Sequence, residues 1–137
     1  MTAIRKQLSS FDFISGPVHI NKNHWALLFI KVKTHTVLYI DSKGESPETR
    51  NKVLVNWSSF TKSRSDMKQT KWIIASYVHV LQLESDNSNC GVFVCNFFKH
   101  LLKQDMAMLN EPFDLDNFRS EIKKTIENNS KLKKINN

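Results

Sequence analysis

Cys90, His24 and Asp41 are the residues of this 137-residue chain whose types and order suit covalent chemistry. Cys90 ends a polar, turn-rich loop, Glu84 to Asn89, and opens the apolar run Val92-Phe93-Val94-Cys95-Asn96-Phe97-Phe98. That pattern predicts a loop feeding the N-terminus of a buried helix, with a thiol in its first turn. Orphan backbone N–H groups and the positive end of the helix dipole lie at such a position, and the nucleophilic form of a cysteine is its thiolate. A cysteine alone is more often a small buried hydrophobe, so the partners decide. A nucleophilic thiol needs a base to take its proton and a group to orient that base. His24 and Asp41 supply these types. The developing oxyanion needs a donor, for which Gln82, a loop amide and the backbone N–H of Cys90 are the candidates.

The elements that must position these groups follow from patterning. Residues 24–32, HWALLFIKV, form a nearly continuous apolar run with β-branched and aromatic members, as in a strand buried on both faces. Residues 36–40 form a second strand ending at Asp41-Ser42, close enough for an antiparallel hairpin. His24 lies about as far before the turn as Asp41 lies after it, so the hairpin brings an imidazole and a carboxylate to one open end, directly opposed or one diagonal apart. Ser46-Pro47-Glu48 reads as a helix start, and Val53, Leu54, Trp57 and Phe60 carry an amphipathic helix to about residue 60. A third strand is expected over 72–81, with His79 a strand residue without chemistry. The Cys90 helix runs to about Lys103 as the central buried helix, and His100 lies too far along it to serve the thiol. After a connector over 105–112, Leu115, Phe118, Ile122 and Ile126 form a last helical stripe capped by Asp114 or Asp116. Residues 1–16 read as a partly ordered lead-in, 18–20 as a short strand, 21–23 as a turn, and 129–137 as a basic, flexible tail. The expected fold is a single α+β domain over 1–137, a small and partly antiparallel sheet packed against a central buried helix.

Composition narrows the function classes. Hydrophobic residues make up 40% of the chain, enough for a core, and only three glycines and three prolines argue against a disordered or fibrous chain. No apolar run approaches the ~20 residues of a membrane span, and the N-terminus lacks the apolar core of a secretory signal. Two cysteines five positions apart on a helix match neither a disulfide framework nor zinc spacing, so no metal or cofactor is expected and a reducing compartment, nucleus or cytoplasm, is. The net charge of +7 favours an acidic partner or nucleic acid. The basic clusters at 62–71 and 123–134 read more readily as solvated helical faces and a tail, and no nucleic-acid-binding motif accompanies them.

Two segments carry a family resemblance. HINKNHWALLFIKVKTHTVLYIDS, residues 19–42, resembles the segment of the ubiquitin-like-protein proteases that reads His-Trp, a buried strand, then Tyr-hydrophobic-Asp-Ser. NCGVFVCNF, residues 89–97, resembles the same family's Asp/Asn-Cys-Gly-hydrophobic-Phe-hydrophobic-Cys block. The family includes the sentrin-specific (SUMO) proteases and, more distantly, the adenovirus protease. Papain-like proteases place Cys before His, the reverse of the order here. The resemblance implies a cysteine-protease-like fold, Cys90 as nucleophile, His24 as general base and Asp41 as its orienting group. It also implies that Trp25 packs at the cleft against a diglycine tail, whereas on patterning alone Trp25 is a large core aromatic at a strand start. The implied reaction is thioester formation and hydrolysis after the diglycine of a ubiquitin-like protein, in SUMO-type deconjugation or precursor processing by a monomer.

Two departures stand out. The family's Gln about six residues before the Cys is here Glu84, and an ionised Glu cannot donate. A loop longer by two residues makes Gln82 the oxyanion donor; otherwise the oxyanion hole is impaired. Family members also carry a Trp-containing stretch upstream, the other wall of the diglycine tunnel, and no Trp occurs in the 23 residues before His24. A fragment, a minimal enzyme of the viral or mobile-element kind that matures a polyprotein, and a non-catalytic module that grips a ubiquitin-like partner all fit that departure.

Overall fold

The structure is a computed structural model that describes residues 7–21 and 23–135. A four-stranded sheet is built from β1 (Phe13–Ile20), β2 (His24–Lys31), β3 (Thr36–Ile40) and β4 (Ile73–Ala75), in that spatial order. β1, β2 and β3 pair antiparallel, while β4 lies parallel to β3. A parallel pair needs a crossover, and helix α1 (Pro47–Lys62) supplies it. Helices α2 (Cys90–Leu102) and α3 (Leu115–Ile135) complete the chain, joined through a 3-10 helix, Met106–Asn110. The α+β class and the partly antiparallel sheet match the sequence reading. Among the described residues, no helix is long and apolar enough to cross a membrane.

The register of β2 on β3 sorts side chains between the two faces. Leu27 pairs with Ile40 and Phe29 with Leu38, and these four pack with Phe93, Phe97 and Leu101 of α2 and with Leu109. Side chains alternate along a strand, so the neighbouring pair Ile30 and Val37 faces the other way. There it joins Val32, Met67 and Trp72, covered by Val53, Leu54 and Trp57 of α1. All five residues of β3 are buried, as a strand between two helical layers must be. α1 starts as its sequence predicts: the Ser46 hydroxyl accepts from the Thr49 N–H at 3.1 Å, and Pro47 opens the first turn.

Several elements differ from expectation. β1 begins at Phe13 and takes in part of the stretch read as a lead-in, the first six residues of which lie outside the described residues. Lys22, in the turn expected over 21–23, also lies outside them. Gly16 and Pro17 hid the strand, because both are poor strand formers away from an edge. The Val32 N–H donates to the Asp12 carbonyl at 3.0 Å, which makes that a hydrogen-bonded pair. Bonded pairs recur every second residue, so Pro17, opposite Leu27, turns its nitrogen away from β2, toward the outer side of β1 in the described sheet. The strand expected over 72–81 stops at Ala75. Beyond it the backbone leaves the ladder: the Val80 N–H donates to the Leu109 carbonyl at 2.8 Å and the Gln82 N–H to the Ser42 carbonyl at 2.7 Å. Asp114, not Asp116, caps α3, its carboxylate accepting from the Asn117 N–H at 3.0 Å. The α3 backbone stays helical to Ile135, through most of the stretch read as a tail. Its polar, unbroken composition lacks the Gly or Pro that stops a helix.

Phe97 is fully buried between the sheet and α2's neighbours. Phe97→Ala is expected to lower the unfolding free energy by about 3–5 kcal/mol, read from urea denaturation with an unchanged m-value.

Candidate active site

The open end of the β2–β3 hairpin is where the chemistry-bearing residues gather. Extending the register past Leu27 and Ile40 sets Asp41 opposite Ala26, so His24, two residues further along β2, is its diagonal neighbour. The His24 Nε2 and Asp41 Oδ1 atoms are 2.6 Å apart. The same Asp41 oxygen accepts from the Lys43 N–H at 2.8 Å. With Nε2 committed to the carboxylate, Nδ1 is the ring nitrogen left for another partner.

Cys90 is the first residue of α2, and its thiol is buried with Sγ 3.9 Å from the Asn23 carbonyl oxygen. The loop before it is ordered by Asp86. That carboxylate accepts from the Ser88 N–H at 3.0 Å, the Asn89 N–H at 3.1 Å and the Asn89 side-chain amide at 2.9 Å. The Ser88 N–H first, and the Asn89 side chain next, hold the Asp86 carboxyl below its usual range. Arg119 of α3 reaches across to the Asn89 side-chain oxygen, so the last helix braces the residue before the thiol. One residue further on, Gly91 lines the neighbouring groove.

A cavity of about 580 Å³ contains Asn23, His24, Asp41, Lys43, Gln82 and Cys90 among its walls. Gln82 is buried, with its oxygen accepting from the Ser42 hydroxyl at 2.7 Å and its amide donating to the Asp86 carbonyl at 2.9 Å. A primary amide carries two hydrogens, and the Gln82 side chain also helps to hold the Asp86 carboxyl below its usual range. Glu84 is exposed and does not line the cavity; its carbonyl, with that of Leu83, is held by the Lys43 ammonium. The candidate nucleophile, base, orienting carboxylate and Gln82 thus share one cavity. Trp25 does not wall it. Its ring stacks on His19 at 4.5 Å and lines an adjoining apolar groove of about 440 Å³ with Gly16, Pro17, Leu27, Gly91 and Val94. Cys95 also borders this groove, and burial pushes its thiol pKa up.

His79 and Glu45 were not legible as site residues. His79 lies outside any strand and its side chain is buried. Its Nε2 lies 2.8 and 3.0 Å from the Glu45 carboxylate oxygens, and its Nδ1 lies 2.7 Å from the Val80 carbonyl. A backbone carbonyl can only accept, so Nδ1 carries a proton, and a carboxylate facing Nε2 favours the doubly protonated ring. Burial works against that charge, but the Glu45 and Val80 hydrogen bonds and the nearby Glu45 and Asp41 charges outweigh it, and the His79 pKa is raised. No periodicity links residues 34 positions apart. Asp86 did have a signal, since an Asp within the turn-rich run 84–89 favours an Asx-turn onto the backbone N–H two residues on.

A histidine with a raised folded pKa stabilises fully below its unfolded value of about 6.5, and that contribution is lost as pH rises through the folded value. His79→Gln is therefore expected to destabilise more at about pH 6 than at about pH 9, read as the difference in urea midpoint from wild type.

Comparisons with known proteins bear on this geometry. Residues 2–133 match the model of the Ulp1 protease family, C-terminal catalytic domain. Human sentrin-specific protease 2 is 28% identical over 94 residues, covering 66% of this chain and 16% of that protein. Ubiquitin-like-specific protease 1 of Saccharomyces cerevisiae is 26% identical over 96 residues, covering 66% of this chain and 15% of that protein. The chain thus spans only a small part of the length of these relatives. Among solved structures, SUMO protease Ulp1 with its catalytic cysteine oxidised to a sulfenic acid superimposes with a TM-score of 0.64 at 23% identity, over 82% of this chain and 50% of that one. The Ulp1 protease domain in complex with Smt3, the yeast ortholog of SUMO, gives a TM-score of 0.61 at 24% identity, over 82% of this chain and 49% of that one. At that identity these structures bear on the fold alone, and the fold is theirs. With the family model matching nearly the whole sequence, the chain belongs to the Ulp1 protease family, in the region of its C-terminal catalytic domain.

Proposed function

We propose that this chain is a cysteine peptidase that cleaves after the C-terminal diglycine of a SUMO-type ubiquitin-like protein, in conjugates or in precursors. The observation that carries the reading is the 2.6 Å His24–Asp41 contact in one cavity with a thiol at the start of α2. Membership of the Ulp1 family supports it, as does the complex in which a Ulp1 domain holds Smt3.

In this reading Asp41 holds Nε2 of His24, and Nδ1 takes the proton of the Cys90 thiol. The sulfur attacks the carbonyl carbon of the terminal glycine, and the oxygen becomes an oxyanion. The Gln82 amide and the backbone N–H of Cys90 are its donors. As the C–N bond breaks, His24 returns the proton to the leaving amine and a thioester remains on Cys90. Water then loses a proton to His24 and attacks the thioester, and the thiol reforms with that proton. The adjoining groove under Trp25 accepts the narrow tail, because Gly91 gives no side chain to block the passage toward Cys90. A reduced thiol is required, as in the nucleus or cytoplasm. Gln82, buried on the cavity wall, supports the longer-loop reading over Glu84.

The test is a panel of ubiquitin-like proteins carrying C-terminal electrophiles. A SUMO-type probe is expected to label wild type and to leave Cys90→Ser unlabelled; labelling that persists in Cys90→Ser removes Cys90 from the reaction. Binding of SUMO-type protein without turnover by wild type identifies a non-catalytic module instead, and turnover of polyprotein junctions alone identifies a maturation protease. His24→Ala is expected to lower kcat/KM for a diglycine-tailed substrate by about 10²–10⁴-fold, measured by fluorogenic release.

A further inference from the structure

The segment 41–45 and the segment 79–82 are fastened together at two places. Gln82 and Ser42 form one fastening, through the backbone at 2.7 Å and the side chains at 2.7 Å. Glu45 and His79 form the other. Between them lies a tight turn, closed by the Gly44 N–H on the Asp41 carbonyl at 2.8 Å and made possible by Gly44 at φ +100°. The turn folds Glu45 back beneath Asp41, where Glu45 Oε1 accepts from the Asp41 N–H at 3.1 Å. That same oxygen is 2.8 Å from His79 Nε2.

We propose that Glu45 is a positioning residue for the candidate active site: it fixes the backbone of Asp41, and through His79 it locks the segment bearing Gln82 against that backbone. The inference rests on the cysteine-peptidase reading. Glu45 touches neither the thiol nor the space for substrate; it acts through Asp41. The Asp41 side chain has one oxygen in use by both His24 and the Lys43 N–H, so a small rotation of its backbone moves the His24 ring with it. A second carboxylate so near Asp41 would repel it if unpaired. The His79 cation removes that conflict and leaves Glu45 free to accept from the Asp41 N–H. A buried ion pair is a poor choice for stability alone, since apolar residues of similar volume serve as well or better. Its use here follows from the need for an acceptor at the Asp41 N–H and a tie to the segment before Gln82.

Steady-state cleavage of a diglycine-tailed SUMO-type substrate by wild type, Glu45→Ala and Glu45→Gln tests this, alongside the folded fraction of each by circular dichroism. Glu45→Ala is expected to lose about 10- to 100-fold in kcat with KM within about twofold, as for a misplaced catalytic group. Glu45→Gln keeps an oxygen acceptor for the Asp41 N–H and is expected to recover most of the loss. A Glu45→Ala enzyme with wild-type kcat overturns the proposal, as does a loss in both variants that only tracks their folded fraction. Should wild type cleave nothing, the peptidase reading fails and positioning is read separately, from the His24 Nε2 proton resonance in wild type and Glu45→Gln after ¹⁵N-histidine labelling. A resonance retained in Glu45→Gln but lost in folded Glu45→Ala supports positioning, and its retention in both overturns it.

Discussion

The pairing of Leu27 with Ile40 is the constraint on which the rest depends. It places Leu27, Phe29, Leu38 and Ile40 on the face that receives α2, and it sets His24 one diagonal from Asp41. A slip of one residue would turn every side chain of β2 to the opposite face. The apolar quartet would lose Phe93 and Phe97, and the imidazole would part from its carboxylate. Core and chemistry are therefore specified by one register. The buried area guards the geometry of the candidate site.

The second half of the site is delivered by different means. Cys90 arrives on a helix whose buried positions, Val92, Phe93, Phe97 and Leu101, press it onto the sheet. The approach to that helix has no regular structure, so polar contacts hold it: Asp86 within the loop, Lys43 on the carbonyls of Leu83 and Glu84, Arg119 on Asn89. Each of those polar contacts is individually weak at the surface. Together they satisfy the backbone groups that a loop must otherwise expose. The buried link between the halves is Ser42 with Gln82, reinforced by Glu45 with His79.

What was legible in the sequence follows from the range of the forces involved. The hairpin, the Ser46 cap and the apolar face of α2 are local patterns, and all three appear where their residues predicted. Counting to the turn brings His24 and Asp41 to one end of the hairpin, directly opposed or one diagonal apart, and the register makes it the diagonal. The stretch after Ala75 misled because Tyr77, Val78, Val80 and Leu81 have strand chemistry, but their environment is not a ladder. Tyr77 and Val80 pack on the α2 cluster while Val78 and Leu81 face out. That spacing of three is not the period of two that a ladder strand keeps, and it suits an extended chain bonded to a loop and a turn. His79 and Glu45 were opaque for a simpler reason: an ion pair between two irregular segments leaves no period. Donor chemistry already favours Gln82 over Glu84 in the sequence, and burial separates the two further, with Gln82 on the cavity wall and Glu84 exposed.

The proline of β1 has a bearing on the behaviour of this domain among its own copies. The residues of that strand whose nitrogens turn outward are Phe13, Ser15, Pro17 and His19, by the alternation that the Asp12–Val32 pair establishes. Pro17 sits inside that row and has no hydrogen there. A strand approaching from another molecule would find the ladder interrupted midway, and the rigid ring would obstruct its pleat. The outermost strand is thus a poor template for edge-to-edge addition. Gly16-Pro17 weakens β1 as a strand, and in return breaks the row of outward donors along an eight-residue, largely uncharged strand at the border of the described sheet.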